Sequence, residues 1–553
     1  MNKLFTLAFV LLLQLSNAQN VTYWVTLKDK KESTFSLEQP QAFLSAKALE
    51  RRERQHIPLV QNDIPVSPVY IQEIRKTGVH ILHCSKWFNI VSISTDDAAK
   101  IDAIKALPFV KAVQLVDHPS AKRRVSKFGT IQPLAKPLKE EETHGVFAYN
   151  YGYAFKQAEQ LGVVCMHSKG FNGEGMTIAV LDAGFYNVNI LAAFDSLRLE
   201  NRLLGTRDFV TGDTMVYEDY YHGMMVLSCM AGNIPGKIVG AAPKAKYWLL
   251  RTETTDSESL QEEMNWAVGA EFADSVGADI ISTSLGYSTF DDTLTNHTYK
   301  DMDGNTTIIT RAADFAASKG IFVSVSAGNE GDNSDWVKIT APADGDSVLA
   351  VGAIDSVGNL AYFSSHGPSF DGRVKPNTVA TGLYAAIVTT NGDVVKMGQG
   401  TSFACPITSG AVACLWQANK TKTNIELLHA IEASASMYST PDTLKGYGIP
   451  DFCKAYSILT GIDAYLPTEN VLTVYPNPFQ SGFSIAYTSS TDELITLELR
   501  DITGRLIKSQ NQKVNASQQM RLNFATDKEL ANGVYVISLS TSKQRLYKKI
   551  IKE

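Results

Sequence analysis

The chain has 553 residues, 44% of them hydrophobic and 20% charged, with a net charge of −6 spread along its length. This is a globular balance, and the length calls for about two to four domains rather than one core. No basic stripe or cluster of the kind that tracks phosphates is present, so nucleic acid is excluded as a partner.

The opening, MNKLFTLAFVLLLQLSNAQN, sets one lysine before a short apolar run and small residues up to Ala18. It reads as a signal peptide over residues 1–18, because the run is too short to span a bilayer. Residues 19–118 follow as a small α+β domain. VTYWVTL alternates as a strand, QAFLSAKALERRERQ has helical spacing, and SPVYIQEIRKTG is a second helix stopped at Gly78. VHILHCSKWFNIVSIST supplies two strands, DDAAKIDAIKAL a helix opened by Asp96 or Asp97, and VKAVQLVD a last strand. Residues 119–146 are charged and Pro-bearing and read as a linker. Within it, Lys122, Arg123 and Arg124 are either solvated charges or a processing site.

The largest unit covers 147–462. MTIAVLD, ADIISTSLG, IFVSVSAGN and SVLAVGAID are strands, and LQEEMNWAVGAEFADSVG and TRAADFAASKG are helices between them. This alternation predicts an α/β fold, a doubly wound parallel sheet covered on both faces. From 468 to 553 the texture changes to short alternating strands: VLTVYPNPF, FSIAYTS, LITLELRD, GRLIKSQ, MRLNFAT and GVYVISLS. That pattern predicts a small β-sandwich, with Asn532-Gly533 as a turn signal and Thr503-Gly504 as a weaker one. The six cysteines (Cys84, Cys165, Cys229, Cys405, Cys414, Cys453) show no disulfide framework or zinc pattern, and buried free thiols are the plainer reading.

Chemistry is concentrated in the large unit. Ser402 lies in GQGTSFACP, just after a glycine-rich turn and ahead of a buried helix. Two readings are open: it caps the helix, with Pro406 in the first turn, or it is a nucleophile at a positive helix end. Asp182 ends the strand IAVLD, where open α/β sheets place ligands, or where an Asx turn begins. His222, in YYHGMMVLSCMAG, is a structural histidine or a base. Asn329, in SVSAGNEG, ends another strand or marks a turn. All four sit at strand ends or helix mouths of one domain, in the order Asp, His, Ser.

On these residues the large domain resembles a subtilisin-type serine peptidase, a subtilase. The matching segments are IAVLDAGF, HGMMVLSCMAG, SVSAGNEG and GTSFACP, supported by GAAPKAKYWLLR, IISTSLGY and SVLAVGAIDSVGNLAYFSSHGP, over residues 170–455. The resemblance implies a secreted endopeptidase made as a zymogen and acting on polypeptide substrates through an acyl-enzyme. Ser402 would attack, His222 would move the proton, and Asp182 would orient His222. Asn329 would bind the oxyanion. Ser284, Leu285 and Gly286 would pair with extended substrate, or are an ordinary strand end, and Ala327 and Gly328 complete the implied substrate-binding set. Thr340 and Ala343 lie where the family walls its first substrate pocket. Three positions depart from the family pattern: Ala183 replaces a usual Ser or Thr, and Met224 and Met225 a usual Thr and His. No cofactor is implied. The loop DMDGNTT, Asp301 to Thr307, lacks an EF-hand's glycine position and terminal Glu, so it reads as a turn with solvated acids and no metal is expected.

The N-terminal domain resembles the inhibitor-like propeptide of many subtilases, which implies an intramolecular inhibitor and folding aid. The tail, with VYPNPF, DITGRLI, NGVYVISLS and RLYKKIIKE, resembles a type IX secretion sorting domain. It implies a partner in the secretion machinery and delivery to the outside or the cell surface of a Gram-negative bacterium. An inactive relative that acts by binding, and a surface adhesin led by the β-tail, are the rival readings.

Overall fold

In the computed structural model the described residues are 21–117, 148–218, 220–390 and 395–461, with 472–475, 477–480, 482–488, 492–514, 519–524, 530–541 and 545–553 in the tail. The readings of 1–18 as a signal peptide and of 119–146 as a linker, with Lys122, Arg123 and Arg124, lie outside them. The chain divides into two compact units, Met1–Ile462 and Asp463–Glu553. Among the described residues no helix is long and apolar enough to cross a membrane.

The N-terminal domain runs β1 (Val21–Leu27), α1 (Ala46–Arg54), α2 (Pro68–Lys76), β2 (His80–Ser85), β3 (Ile90–Thr95), α3 (Ala98–Lys105) and β4 (Val110–Asp117). Its strands form one antiparallel sheet in the order β2-β3-β1-β4. Asp97, not Asp96, opens α3 by accepting the Ala99 N–H. The first helix is shorter than its apolar spacing, because Ser45 accepts the Ala48 N–H and starts α1 there. Pro40–Ala42 forms a separate single turn.

The large sheet has seven strands, all paired in parallel. The elements are α4 (Val163–Ser168), β5 (Thr177–Asp182), β6 (Leu203–Asp208), α5 (His222–Ala231), β7 (Lys246–Arg251), α6 (Leu260–Val276), β8 (Ile280–Thr283), α7 (Ile308–Ser318), β9 (Phe322–Ser326), β10 (Val348–Ile354) and β11 (Thr378–Thr381). A hairpin of β12 (Leu383–Val388) and β13 (Val395–Gln399) then leads into α8 (Thr401–Ala418), followed by α9 (Asn424–Ser434) and α10 (Phe452–Thr460). Spatial order is β11-β10-β9-β8-β5-β7-β6. β5 shows the logic of a doubly covered strand: every residue is buried. Ile178 and Val180 enter one core with α5 and α8, whereas Ala179 and Leu181 enter the other with α6 and α7.

The N-terminal sheet continues that second core. Trp24, Trp87, Ile90 and Val116 pack with Trp266, Ala270 and Ala316 of α6 and α7. Polar groups on α6 fix the register: Gln261 Oε1 accepts Trp24 Nε1 at 2.9 Å and Ser92 Oγ at 2.7 Å. Glu271 accepts Ser85 Oγ and the N–H groups of Lys86 and Trp87 at 2.5 to 3.0 Å. Asp274, fully buried, meets Arg51 Nη2 at 2.5 Å, Arg52 Nη2 at 2.9 Å and Lys86 Nζ at 3.0 Å. Burial would raise the Asp274 carboxyl, but these three cations outweigh it and hold the group below the usual carboxylate range.

Cys165 of α4 and Cys453 of α10 form a disulfide, which corrects the free-thiol reading for this pair. Their separation of 288 residues leaves no trace in local spacing. Cys84, Cys229, Cys405 and Cys414 are free, the last three buried. Replacing Cys165 and Cys453 with serine is expected to destabilise the first unit by about 2–4 kcal/mol. Chemical denaturation of oxidised wild type and the double variant measures it; equal midpoints would contradict the expectation.

The second unit is a sandwich of two antiparallel sheets. β14 (Thr473–Tyr475), β15 (Phe483–Thr488) and β18 (Gln519–Phe524) make one, in the order β14-β15-β18. β16 (Glu493–Asp501), β17 (Leu506–Val514), β19 (Gly533–Ser540) and β20 (Arg545–Lys552) make the other, in the order β17-β16-β19-β20. Val474 and Ile485 of the first share a core with Leu497, Ile537 and Ile550 of the second. The weaker turn signal is the hairpin: Thr503-Gly504 joins β16 to β17 with Gly504 at φ +85°, whereas Gly533 already begins β19.

Candidate active site

Asp182 is the last residue of β5, at the carboxyl end of a central strand. Its Oδ1 accepts the Ala183 N–H at 2.8 Å and faces His222 Nδ1 at 2.8 Å. Both residues of the pair are buried, Asp182 fully and His222 to 1% exposure. A carboxylate at Nδ1 holds that nitrogen protonated and leaves Nε2 as the basic one. Asp182 Oδ2 has no hydrogen-bond partner among the described residues.

His222 is the first residue of α5. A Cβ on the next residue, Gly223, would stand 2.5 Å from Gly184 O and 2.9 Å from Asp182 Cβ, so only glycine lets this helix start so close to the end of β5. Met224 and Met225 are buried in the core on the same helix.

Ser402 is the second residue of α8 and is 5% exposed. The N-cap is Gly400, at φ +152°, and no side chain caps this helix, so Ser402 is not a capping serine. Pro406 lies inside the helix rather than in its first turn. Lacking an N–H, it leaves the carbonyl four residues earlier, that of Ser402, without a helical donor. Ser284 fills the gap: its hydroxyl donates to Ser402 O at 2.9 Å, while Ser402 Oγ lies 3.5 Å from Ser284 O. The proline thus ties the strand end after β8 to the backbone of Ser402. The ring of Phe403 lies 6.2 Å from that of His222, which sets the Asp182–His222 pair beside the start of α8.

Asn329 follows β9. Its Oδ1 accepts Thr401 N at 2.8 Å and Thr401 Oγ1 at 2.9 Å, so its Nδ2 is the group left to face outward. One pocket is lined by Ser284, Leu285, Gly286, Gly328, Asn329 and Ser402. Ala327 is fully buried behind it, with its N–H on Val351 O and its carbonyl accepting Thr340 N–H. Thr340 is a wall of the pocket, whereas Ala343 is fully buried and absent from the lining. Sequence reasoning missed Glu253, Glu258 and Glu330, which also line it. Glu253 and Glu258 lie in TETTDSES, where no motif marks them, and Glu330 directly follows Asn329 in SVSAGNEG. In the acidic loop, Asp301 and Asp303 accept local N–H groups of Thr298, Asn305 and Thr306. Among the described residues a group that could hold a cation lies elsewhere: Glu253, Glu258 and Glu262 bring ligand oxygens within 4.8 Å of one another.

The "Subtilase family" matches residues 173–448, the "Peptidase S8 propeptide domain, Bacteroidota" matches 22–129, and the "Secretion system C-terminal sorting domain" matches 473–553. Subtilisin E of Bacillus subtilis (strain 168) is 29% identical over 311 residues, which cover 55% of this chain and 71% of that one. Subtilisin of Bacillus pumilus is 29% identical over 284 residues, covering 50% and 90%. Among solved structures, MycP1 with the N-terminal propeptide removed is 23% identical with a TM-score of 0.43, covering 54% of this chain and 96% of that chain.

Proposed function

The chain is a subtilisin-like serine endopeptidase of the subtilase family, with a propeptide domain before and a secretion sorting domain after the enzyme, and on that premise we propose that Asp182, His222 and Ser402 carry the reaction. The observation that carries this reading is the buried Asp182–His222 pair beside the helix start that bears Ser402. His222 Nε2 takes the Ser402 hydroxyl proton as Oγ attacks the peptide carbonyl. The same nitrogen then gives the proton to the leaving amine, leaving an acyl-enzyme that water hydrolyses by the reverse steps. Asp182 stabilises the imidazolium without taking the proton.

Negative charge on the carbonyl oxygen develops at the α8 N-terminus. Asn329 Nδ2 and the Ser402 N–H supply donors there, aimed by the two bonds from Thr401 to the Asn329 oxygen. Asn329→Ala is expected to lower kcat by about 10²- to 10³-fold, a magnitude borrowed from the related subtilisin, with KM little changed. Steady-state kinetics on a fluorogenic peptide check it; an unchanged kcat would remove Asn329 from this role.

The N-terminal domain holds the enzyme as an inhibited precursor, and the second unit engages the secretion machinery of a Gram-negative cell, so the enzyme works outside the cell or on its surface. Casein digestion by the matured secreted protein tests the function. Degradation with new internal N-termini is expected. Intact casein would favour an inactive binding relative or an adhesin.

A further inference from the structure

The pocket beside Ser402 carries more charge than peptide-bond chemistry requires. Glu253, Glu258 and Glu330 line it, and no lysine or arginine is among its described lining residues. The oxygens of Glu253, Glu258 and Glu262 lie within 4.8 Å of one another. Glu262 is committed to the backbone, accepting the N–H groups of Thr254 and Ser259 at 2.8 and 2.9 Å where α6 begins. Glu253 is 2% exposed and receives the Tyr287 hydroxyl at 2.5 Å. Burial, with Glu253, Glu262 and Glu258 around it, pushes the Tyr287 hydroxyl well above its ordinary range, so it stays a donor. Glu258 is half-buried.

A second observation points the same way. Thr340 lines this pocket at 3% exposure, and its hydroxyl has no hydrogen-bond partner among the described residues. A Cβ on Gly286 would stand 2.2 Å from that hydroxyl oxygen, and one on Gly328 2.9 Å from it. Two glycines therefore keep the wall open around a waiting acceptor. Like charges held this close repel, and burial raises the cost of each. An apolar side chain entering here would strip water from carboxylates and return nothing, whereas a cation would be attracted to all of them.

We propose that this pocket takes the lysine or arginine side chain on the acyl side of the scissile bond, with Glu253 and Glu258 as its carboxylate partners and the Thr340 hydroxyl as a further acceptor. The enzyme then cleaves after basic residues. This rests on Ser402 being the nucleophile.

The matured enzyme is assayed on one tetrapeptide series that differs only in the residue before the fluorogenic leaving group: Lys, Arg, Leu, Phe or Glu. A fluorophosphonate reports the Ser402 nucleophile separately. The expected kcat/KM for Lys and Arg exceeds that for Leu and Phe by about 10²- to 10³-fold. Glu258→Gln and Glu253→Gln are each expected to cut the Lys-to-Leu ratio by about 10-fold or more. Fluorophosphonate labelling shows that each variant's site is intact, and Glu258→Gln keeps the test open should the buried Glu253→Gln fail to fold. Normal labelling with Leu and Phe cleaved as fast as Lys and Arg would overturn the assignment, as would a basic preference unmoved in both variants. Hydrolysis abolished by EDTA and restored by calcium, without basic preference, would overturn it in favour of a metal on these carboxylates. No labelling and no hydrolysis of any peptide would bring down the Ser402 reading, and this one with it.

Discussion

The Ser402→Ala variant is expected to lose peptide hydrolysis by about 10⁶-fold in kcat, a magnitude borrowed from the related subtilisin, while remaining folded. Folding should survive because the side chain does little structural work. Ser402 Oγ caps nothing and makes only a long 3.5 Å approach to Ser284 O among the described residues. The bond that ties the region together uses the Ser402 carbonyl, which alanine keeps. Thermal unfolding within a few degrees of wild type, with no casein digestion, is the predicted pair of results. The same variant reports on maturation: full-length precursor accumulates if the enzyme cuts its own propeptide. Normal processing of Ser402→Ala would mean that another protease does the cutting.

The second large effect is at the contact between the N-terminal domain and α6. Asp274→Ala leaves Arg51, Arg52 and Lys86 facing one another without their shared carboxylate, in a site where Arg51 and Arg52 are 1% and 2% exposed. Stranding buried charge in this way costs about 3–5 kcal/mol. In the uncut Ser402→Ala precursor, the added Asp274→Ala change is therefore expected to open the N-terminal domain about 10²- to 10³-fold more often. Amide hydrogen exchange over residues 21–117 measures this. The large sheet, whose core lies on both faces of β5, should exchange as before. Unchanged protection of the N-terminal domain would show that the apolar contacts of Trp24 and Trp87 hold it without the ion cluster. The asymmetry of design is physical: while the domain is docked Asp274 is paired with three cations, and once the domain departs Asp274 returns to water and costs nothing.

Much of this was legible in the sequence, and the reasons are specific. Strands buried on both faces write continuous apolar runs, so IAVL and VLAVGAI declare a parallel sheet. Asp182, His222, Asn329 and Ser402 each sit at a strand end, beside a glycine or at a helix start, where motif and geometry coincide. What escaped depends on contacts between distant segments. QAFLSAKALERRERQ shows helical spacing but not that Arg51 and Arg52 are buried, which follows from Asp274 of α6 lying against them. Cys165 and Cys453 meet across 288 residues. Pro406 reads as a first-turn proline; that it sits deeper, and frees a carbonyl for Ser284, follows from where Gly400 starts the helix. Glu253 and Glu258 gain meaning only once the segment before α6 is folded against Ser284 and Gly286.

The central claim is that Ser402 is a nucleophile made reactive by His222. A thrombin site placed within residues 119–146 allows wild type, His222→Ala and Ser402→Ala to be matured alike, and a fluorophosphonate probe is then applied to each. The predicted result is one adduct per chain, mapped to Ser402 by mass spectrometry, formed about 10³-fold more slowly in His222→Ala and not at all in Ser402→Ala. An adduct on another residue, or labelling of Ser402 at the same rate without His222, would contradict the account.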